Sequence, residues 1–326
     1  MTNITIIGCG VYGLAMANSL SMNKKNKIKM WTESEATLAA LEKNRKKYDL
    51  LGGLHLPDDI EFTCSYEEAM KDADIVYIMS AAKFVGSVCK EILPFVTKDM
   101  HFVIGSKGIE QESCRFVHEV FFNTIKTKKL AVISGPSFAI DIAHGEPIAL
   151  AVGTKSPTTF DLMKKLYKGS NIKLRKSNDL LGIELCGSIK NVIAVAAGIL
   201  EGLGYQESTR AFLITESLHD IKELMHGLGG KRKTILTYAG VGDLLLTATS
   251  TKSRNYSYGV FLGKKDFEGA KKYLEETTVE GYYTLKSVYS LLRKKKIKMP
   301  IVDLIYKIVM KDDDPNNLAQ FLMEKE

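Results

Sequence analysis

The run Ile4-Thr5-Ile6-Ile7-Gly8-Cys9-Gly10-Val11-Tyr12-Gly13-Leu14-Ala15-Met16-Ala17-Asn18-Ser19-Leu20 decides how the first half of the chain folds. Its β-branched opening predicts a strand, its Leu/Ala/Met-rich close predicts a helix, and G-x-G-x-x-G joins them. In that context Gly8 permits a tight turn, Gly10 lets backbone approach a pyrophosphate, and Gly13 lets the helix pack close to the strand. The helix would turn free N–H groups and a positive dipole end toward the phosphates. A glycine-rich turn alone also serves plain packing, but here strand, fingerprint and helix coincide.

Working outward, a second strand, Lys27 to Trp31, follows at the spacing of a βαβ unit and ends in Thr32-Glu33. That is about 20 residues past the fingerprint, where a carboxylate takes ribose hydroxyls and repels the extra phosphate of NADP. Glu33 therefore points to NAD. The competing reading makes Glu33 the acid that opens a helix over Ser34 to Asn44.

Alternation continues through strands at Ile60 to Thr63, Ile75 to Met79, His101 to Ile104, Leu130 to Ile133, Ile148 to Val152 and Asn171 to Leu174. Helices are predicted at Ser65 to Lys71, Phe84 to Leu93 and Pro157 to Lys168. The pattern predicts an α/β domain of the Rossmann kind over residues 1–178, with a doubly wound, parallel-rich sheet. From Leu180 the patterns are helical to Glu324, predicting an all-α substrate-binding domain over residues 179–326. Two small-residue turns close strands of the first half: Gly105-Ser106-Lys107-Gly108-Ile109 and Ser134-Gly135-Pro136-Ser137-Phe138-Ala139. Ligands of open parallel sheets collect outside strand carboxyl ends, which favours a site role for Lys107.

The helical half sets Lys190 inside Leu185-Cys186-Gly187-Ser188-Ile189-Lys190-Asn191-Val192, ahead of a long apolar run. A lysine in such a place is paired, shifted in pKa or aimed at an anionic ligand, unless it snorkels to solvent. In Ala239-Gly240-Val241-Gly242-Asp243-Leu244-Leu245-Leu246-Thr247, helix capping is the first reading of Asp243, with Thr247 on the same face. Ser253-Arg254-Asn255 puts a guanidinium fork at a helix start, suited to a phosphate; a surface arginine with an Asn cap is the alternative. Glu280, in Val279-Glu280-Gly281, reads as a capping acid.

At 326 residues and 45% hydrophobic content, the chain can build two domains and a large core. The net charge of +7 is spread over scattered lysines, which suits anionic small molecules. A nucleic-acid partner would call for basic residues interleaved with aromatics; the one dense run, Arg293 to Lys298, reads as a solvated helix end. Five cysteines with no Cys-x-x-Cys pair predict reduced thiols and a cytoplasmic protein. No His-Glu-x-x-His pair is present, so no metal is expected. No signal-like start is seen, and the break of Val192 to Leu203 by glycines and Glu201 predicts no membrane span.

As a set, Gly8 to Gly13, Ser106 to Ile109, Ser134 to Ala139, Glu184 to Val192, Gly240 to Leu244, Ser253 to Asn255 and Val279 to Gly281 resemble the bacterial-type NAD(P)-dependent glycerol-3-phosphate dehydrogenase family. The likeness runs from Ile4 to about Pro300. It implies reversible hydride transfer between NAD(P)H and dihydroxyacetone phosphate, a triose phosphate, giving sn-glycerol 3-phosphate for glycerophospholipid synthesis. By that likeness Lys190 exchanges the proton, with Lys107, Asp243 and Thr247 beside it. Lys107, Gly135, Ser137, Lys190, Asp243, Ser253, Arg254 and Asn255 match substrate positions. Gly8, Gly10, Val11, Tyr12, Gly13, Thr32, Glu33, Lys107, Ala139, Arg254 and Glu280 match dinucleotide positions. A homodimer is compatible with it.

The chain departs from the family at Tyr12, where tryptophan is usual, and at Thr32-Glu33, where many members carry Arg or His. Asp141, Glu216 and Ala248 replace the commoner glutamate, arginine and cysteine. Two other readings compete. A β-hydroxyacid dehydrogenase also uses a helical Lys-Asn pair, but Ser253 to Asn255 and Ala239 to Asp243 argue against it. A redox-sensing protein that only binds the dinucleotide has no use for Lys107, Lys190, Asp243 and Arg254 together.

Overall fold

The β-branched runs of the first half become one eight-stranded sheet in the computed structural model, which describes residues 1–111 and 113–325. Glu112 and Glu326, each within one of the expected domains, lie outside the described residues. The strands are β1 (Thr2–Ile7), β2 (Asn26–Trp31), β3 (Ile60–Thr63), β4 (Ile75–Ile78), β5 (His101–Ile104), β6 (Leu130–Ser134), β7 (Ile148–Thr154) and β8 (Ile172–Ser177). Between them run α1 (Val11–Ser21), α2 (Glu35–Lys43), α3 (Tyr66–Met70), α4 (Val85–Ile92), α5 (Val117–Thr124), α6 (Ala139–Ala143) and α7 (Pro157–Leu166).

Spatial order is β3-β2-β1-β4-β5-β6-β7-β8. Ile4 of β1 pairs with Ile28 of β2 on one side and Ile75 of β4 on the other. The chain thus reverses its direction of travel across the sheet at β1, and a doubly wound sheet opens its ligand crevice at the carboxyl end of that strand. Ile4, Ile6, Met30, Tyr77, Val103 and Ile133 pack with Leu14 and Met16 of α1 in the core.

β7 runs antiparallel to β6. Only thirteen residues separate Ser134 from Ile148, and the helix among them, α6, has five. Such a helix rises about 7.5 Å, too short to carry the chain back along a strand, so β7 returns beside β6 in the opposite sense. Helices α5 and α6 are additions to the predicted pattern.

By contact, Met1–Ser106 and Val117–Leu180 form one unit, and Lys107–Phe116 joins Leu181–Glu326 in the other. The second unit holds α8 (Leu180–Gly202), α9 (Glu207–Gly227), α10 (Asp243–Ala248), α11 (Arg254–Gly263), α12 (Phe267–Glu276), α13 (Glu280–Lys295), α14 (Pro300–Lys311) and α15 (Asn317–Glu324). Helix α8 is long and apolar enough to cross a membrane, at 23 residues and a mean hydropathy of 1.6. This corrects the expectation drawn from the broken run Val192 to Leu203: the helix starts well before Val192, and its residues from Gly182 to Leu200 are buried inside the fold.

Helix α8 crosses α11 glycine on glycine. A Cβ on Gly198 or Gly202 would overlap the carbonyl of Tyr256 or Val260, and one on Gly259 or Gly263 would overlap the carbonyl of Val195 or Ile199. The two backbones therefore touch along four small positions spaced four apart, with no side chain between them. Within the stretch expected to be helical from Leu180 on, a 3-10 turn (Arg232–Leu236) is followed by a π turn (Tyr238–Gly242). Gly240 breaks the regular winding there, at φ −84° and ψ −107°.

Candidate active site

In the first unit, Gly8 adopts φ 114°, a left-handed conformation that suits glycine, while its N–H bonds to Trp31 O at 3.0 Å. A Cβ on Gly13 would overlap Gly8 O, so the third glycine serves the close helix–strand approach. Gly10 is the N-cap of α1, and no other group lies within 4 Å of where its Cβ would be. No side chain caps α1 and no acid lies in its first turn, which leaves the helix end to an anion. Val11 and Tyr12 open that helix, both half-buried.

At the end of β2, Thr32 is buried and Glu33 is exposed. Capping does not explain Glu33: Ser34 is the N-cap of α2, accepting from Thr37 N, and Glu35 supplies the first-turn acid. Tyr12 Oη lies 3.4 Å from Ser137 Oγ, which donates to Gly135 O at 2.9 Å. A Cβ on Gly135 would come within 2.6 Å of Ala149 O, so packing against β7 already requires glycine there. Ala139 begins α6, and Asp141 lies in its first turn.

The second unit gathers the charged residues. Lys190 is 6% exposed and Asp243 is 1% exposed. Lys190 Nζ donates to Asp243 Oδ1, and to Thr247 Oγ1 at 3.0 Å. Lys107 Nζ donates to Asp243 Oδ2 at 3.1 Å. One buried carboxylate thus holds two ammonium groups, one on each oxygen. Asp243 is not a cap: Gly242 is the N-cap of α10, and the carboxylate points to the lysines.

Burial drives the Lys190 ammonium down to about 8; Asp243 pushes it back up and Lys107 pushes it down. For Asp243 burial acts to raise the pKa, but the charges of Lys107 and Lys190 outweigh it and hold the carboxyl below the ordinary aspartate value. A depressed lysine beside a fixed carboxylate can pass a proton near neutral pH.

A second chain of bonds starts one residue on. Asn191 Nδ2 donates to Glu280 Oε2 at 3.0 Å, and Asn255 Nδ2 donates to Asn191 Oδ1 at 3.0 Å. Asn255 Oδ1 accepts from Gly281 N at 2.8 Å. Asn255 therefore ties α8, α11 and α13 together, and Ser253 is the residue that caps α11, accepting from Tyr256 N. Arg254 is exposed at the start of that helix. Asn191 was passed over in the sequence, although a polar residue beside Lys190 in an apolar helix was a signal. Of the departures, Glu216 pairs with Lys325 at 3.0 Å, and Ala248 is buried. Among the described residues no cluster of metal-ligating side chains occurs.

Residues 3–160 match the model of the NAD-dependent glycerol-3-phosphate dehydrogenase N-terminus, and residues 179–320 match that of its C-terminus. Glycerol-3-phosphate dehydrogenase [NAD(P)+] of Vibrio campbellii is 34% identical over 99% of this chain and 94% of its own. The chain belongs to the NAD-dependent glycerol-3-phosphate dehydrogenase family. Glycerol-3-phosphate dehydrogenase [NAD(P)+] of Staphylococcus epidermidis is 33% identical over 100% of this chain and 99% of its own. The crystal structure of the glycerol-3-phosphate dehydrogenase of Coxiella burnetii superimposes with a TM-score of 0.92 at 30% identity, covering 99% of both chains. As a member of the glycerol-3-phosphate dehydrogenase family, the chain is an NAD(P)-dependent oxidoreductase whose mostly parallel sheet precedes a helical half.

Proposed function

We propose that the chain is a reversible sn-glycerol-3-phosphate dehydrogenase, with Lys190 as its acid and base. The observation that carries this reading is the buried carboxylate of Asp243 holding Lys190 and Lys107 at once. NAD(P)H, seated on the Gly8 to Gly13 turn, supplies the hydride when bound. Negative charge then grows on the ketone oxygen of dihydroxyacetone phosphate, and the Lys190 ammonium stabilises it and delivers the proton. In the reverse direction neutral Lys190 takes the hydroxyl proton. Asp243 and Thr247 hold the amine in place, and Lys107 keeps its proton loosely held. Arg254, exposed at the start of α11, grips the phosphate, so that binding remote from the carbonyl helps to position it. Residues 1–178 carry the dinucleotide and 179–326 the substrate, with Lys107 lent to the second group.

Initial rates with dihydroxyacetone phosphate test the reading: NADH should be consumed steadily, and no consumption with either NADH or NADPH overturns it. Exposed Glu33 supports a preference for NADH. Glu33→Arg should reverse that preference, reading out as a ratio of kcat/KM values; an unchanged ratio removes Glu33 from cofactor choice. The pH dependence has a definite sign. Because the Lys190 pKa is lowered to about 8, its acid form is lost as pH rises through that value, so ketone reduction should fall there. Alcohol oxidation, which uses the neutral amine, should rise over the same window. Parallel pH profiles in the two directions would count against Lys190 as the group involved. We place the enzyme in the cytosol, a reading that its free cysteines support.

A further inference from the structure

Helices α9 and α13 end side by side, since the Ile297 side chain packs against Gly227, 3.4 Å from where its Cβ would be. Around these ends the chain exposes Lys233 on one side and Lys294, Lys295, Lys296 and Lys298 on the other. Two helix C-termini carry the equivalent of about one negative charge, which leaves most of this positive charge without a structural purpose. The two arginines of the region are engaged: Arg232 pairs with Glu223 at 2.6 Å, and Arg293 donates to Tyr289 Oη at 3.0 Å. The neighbouring rings are also taken up, Tyr289 stacking on Tyr306 at 3.8 Å. What the face offers is compact lysine charge and one protruding apolar side chain, Leu236, 79% exposed and three residues past Lys233.

We propose that this face docks the enzyme on an anionic lipid bilayer. Lysines are attracted to a charged surface without needing a fixed geometry, and a single leucine can enter the headgroup boundary. Recognition of a nucleic acid would instead employ free guanidinium forks and exposed rings for stacking, and the structure has both occupied elsewhere. The contact is peripheral and reversible, because it is built from surface charge and one apolar residue.

The test is sedimentation of the full chain with vesicles of equal parts phosphatidylglycerol and phosphatidylcholine, compared with phosphatidylcholine alone. The wild type should bind the mixed vesicles at low salt, ignore the neutral ones, and release as salt is raised. Combining Lys294→Gln, Lys295→Gln, Lys296→Gln and Lys298→Gln should weaken binding by more than about tenfold, with NADH turnover unchanged as the check on folding. Leu236→Ser alone should weaken it more modestly. Equal binding by wild type and the lysine variant overturns the proposal, as does binding to neutral vesicles. Displacement from the vesicles by duplex DNA at matched phosphate would overturn it in favour of a nucleic acid.

Discussion

Lys190→Ala should abolish useful turnover of dihydroxyacetone phosphate, lowering kcat by roughly a thousandfold or more, while KM moves far less. On the proposed mechanism, the substitution removes both the proton donor and a charge beside the developing oxyanion. Asp243 keeps its bond to Lys107, so the buried carboxylate is not left alone. The loss therefore does not come from collapse of the site, and a thermal unfolding curve close to wild type checks that folding is intact. Steady-state rates in both directions provide the readout. If the variant keeps kcat within about tenfold of wild type, below the usual share of acid–base catalysis, another group moves the proton.

The second large effect is on stability. Gly259→Val should lower the unfolding free energy by about 4 kcal/mol or more and the melting temperature by roughly 10 °C. Ordinary overpacking is relieved when neighbouring side chains change rotamer. Here the first added carbon would overlap Val195 O and stand 3.0 Å from Gly198 Cα, so only movement of a whole helix makes room. Urea unfolding of the two proteins compares them directly, and an unchanged midpoint would mean that α8 and α11 are looser than the structure has them. Leu245→Val is a suitable control, because Leu245 is 51% exposed.

The sheet was legible because its strands are short β-branched runs that alternate with helical periods, and central strands buried on both faces are apolar throughout. Strand direction was not, since an antiparallel β7 has the same alternation as a parallel one; only the shortness of the connection through α6 betrays it. Helices α5 and α6, of eight and five residues, are too brief to show a period. The G-x-G-x-x-G turn could be placed by residue because all its parts are local. Lys190 could be singled out because an ammonium in an apolar helix demands an account, but its partner came only through the family resemblance: Asp243 lies 53 positions away, at a spot where capping explains an aspartate equally well. The chain from Glu280 through Asn191 to Asn255 was hidden for the same reason, its members being 89 and 64 positions apart. Long-range pairings of polar groups leave no period in a sequence.

The glycine seam between α8 and α11 acts as a ruler. Lys190 sits on one limb and Arg254 at the head of the other, and the limbs meet where nothing remains to be trimmed or lengthened. Drift can repaint the outside of these helices without altering the span from amine to guanidinium. On the roles proposed for Lys190 and Arg254, acceptance of a phosphorylated ketone of different length therefore calls for a new arrangement of the whole helical half rather than a handful of substitutions along its lining.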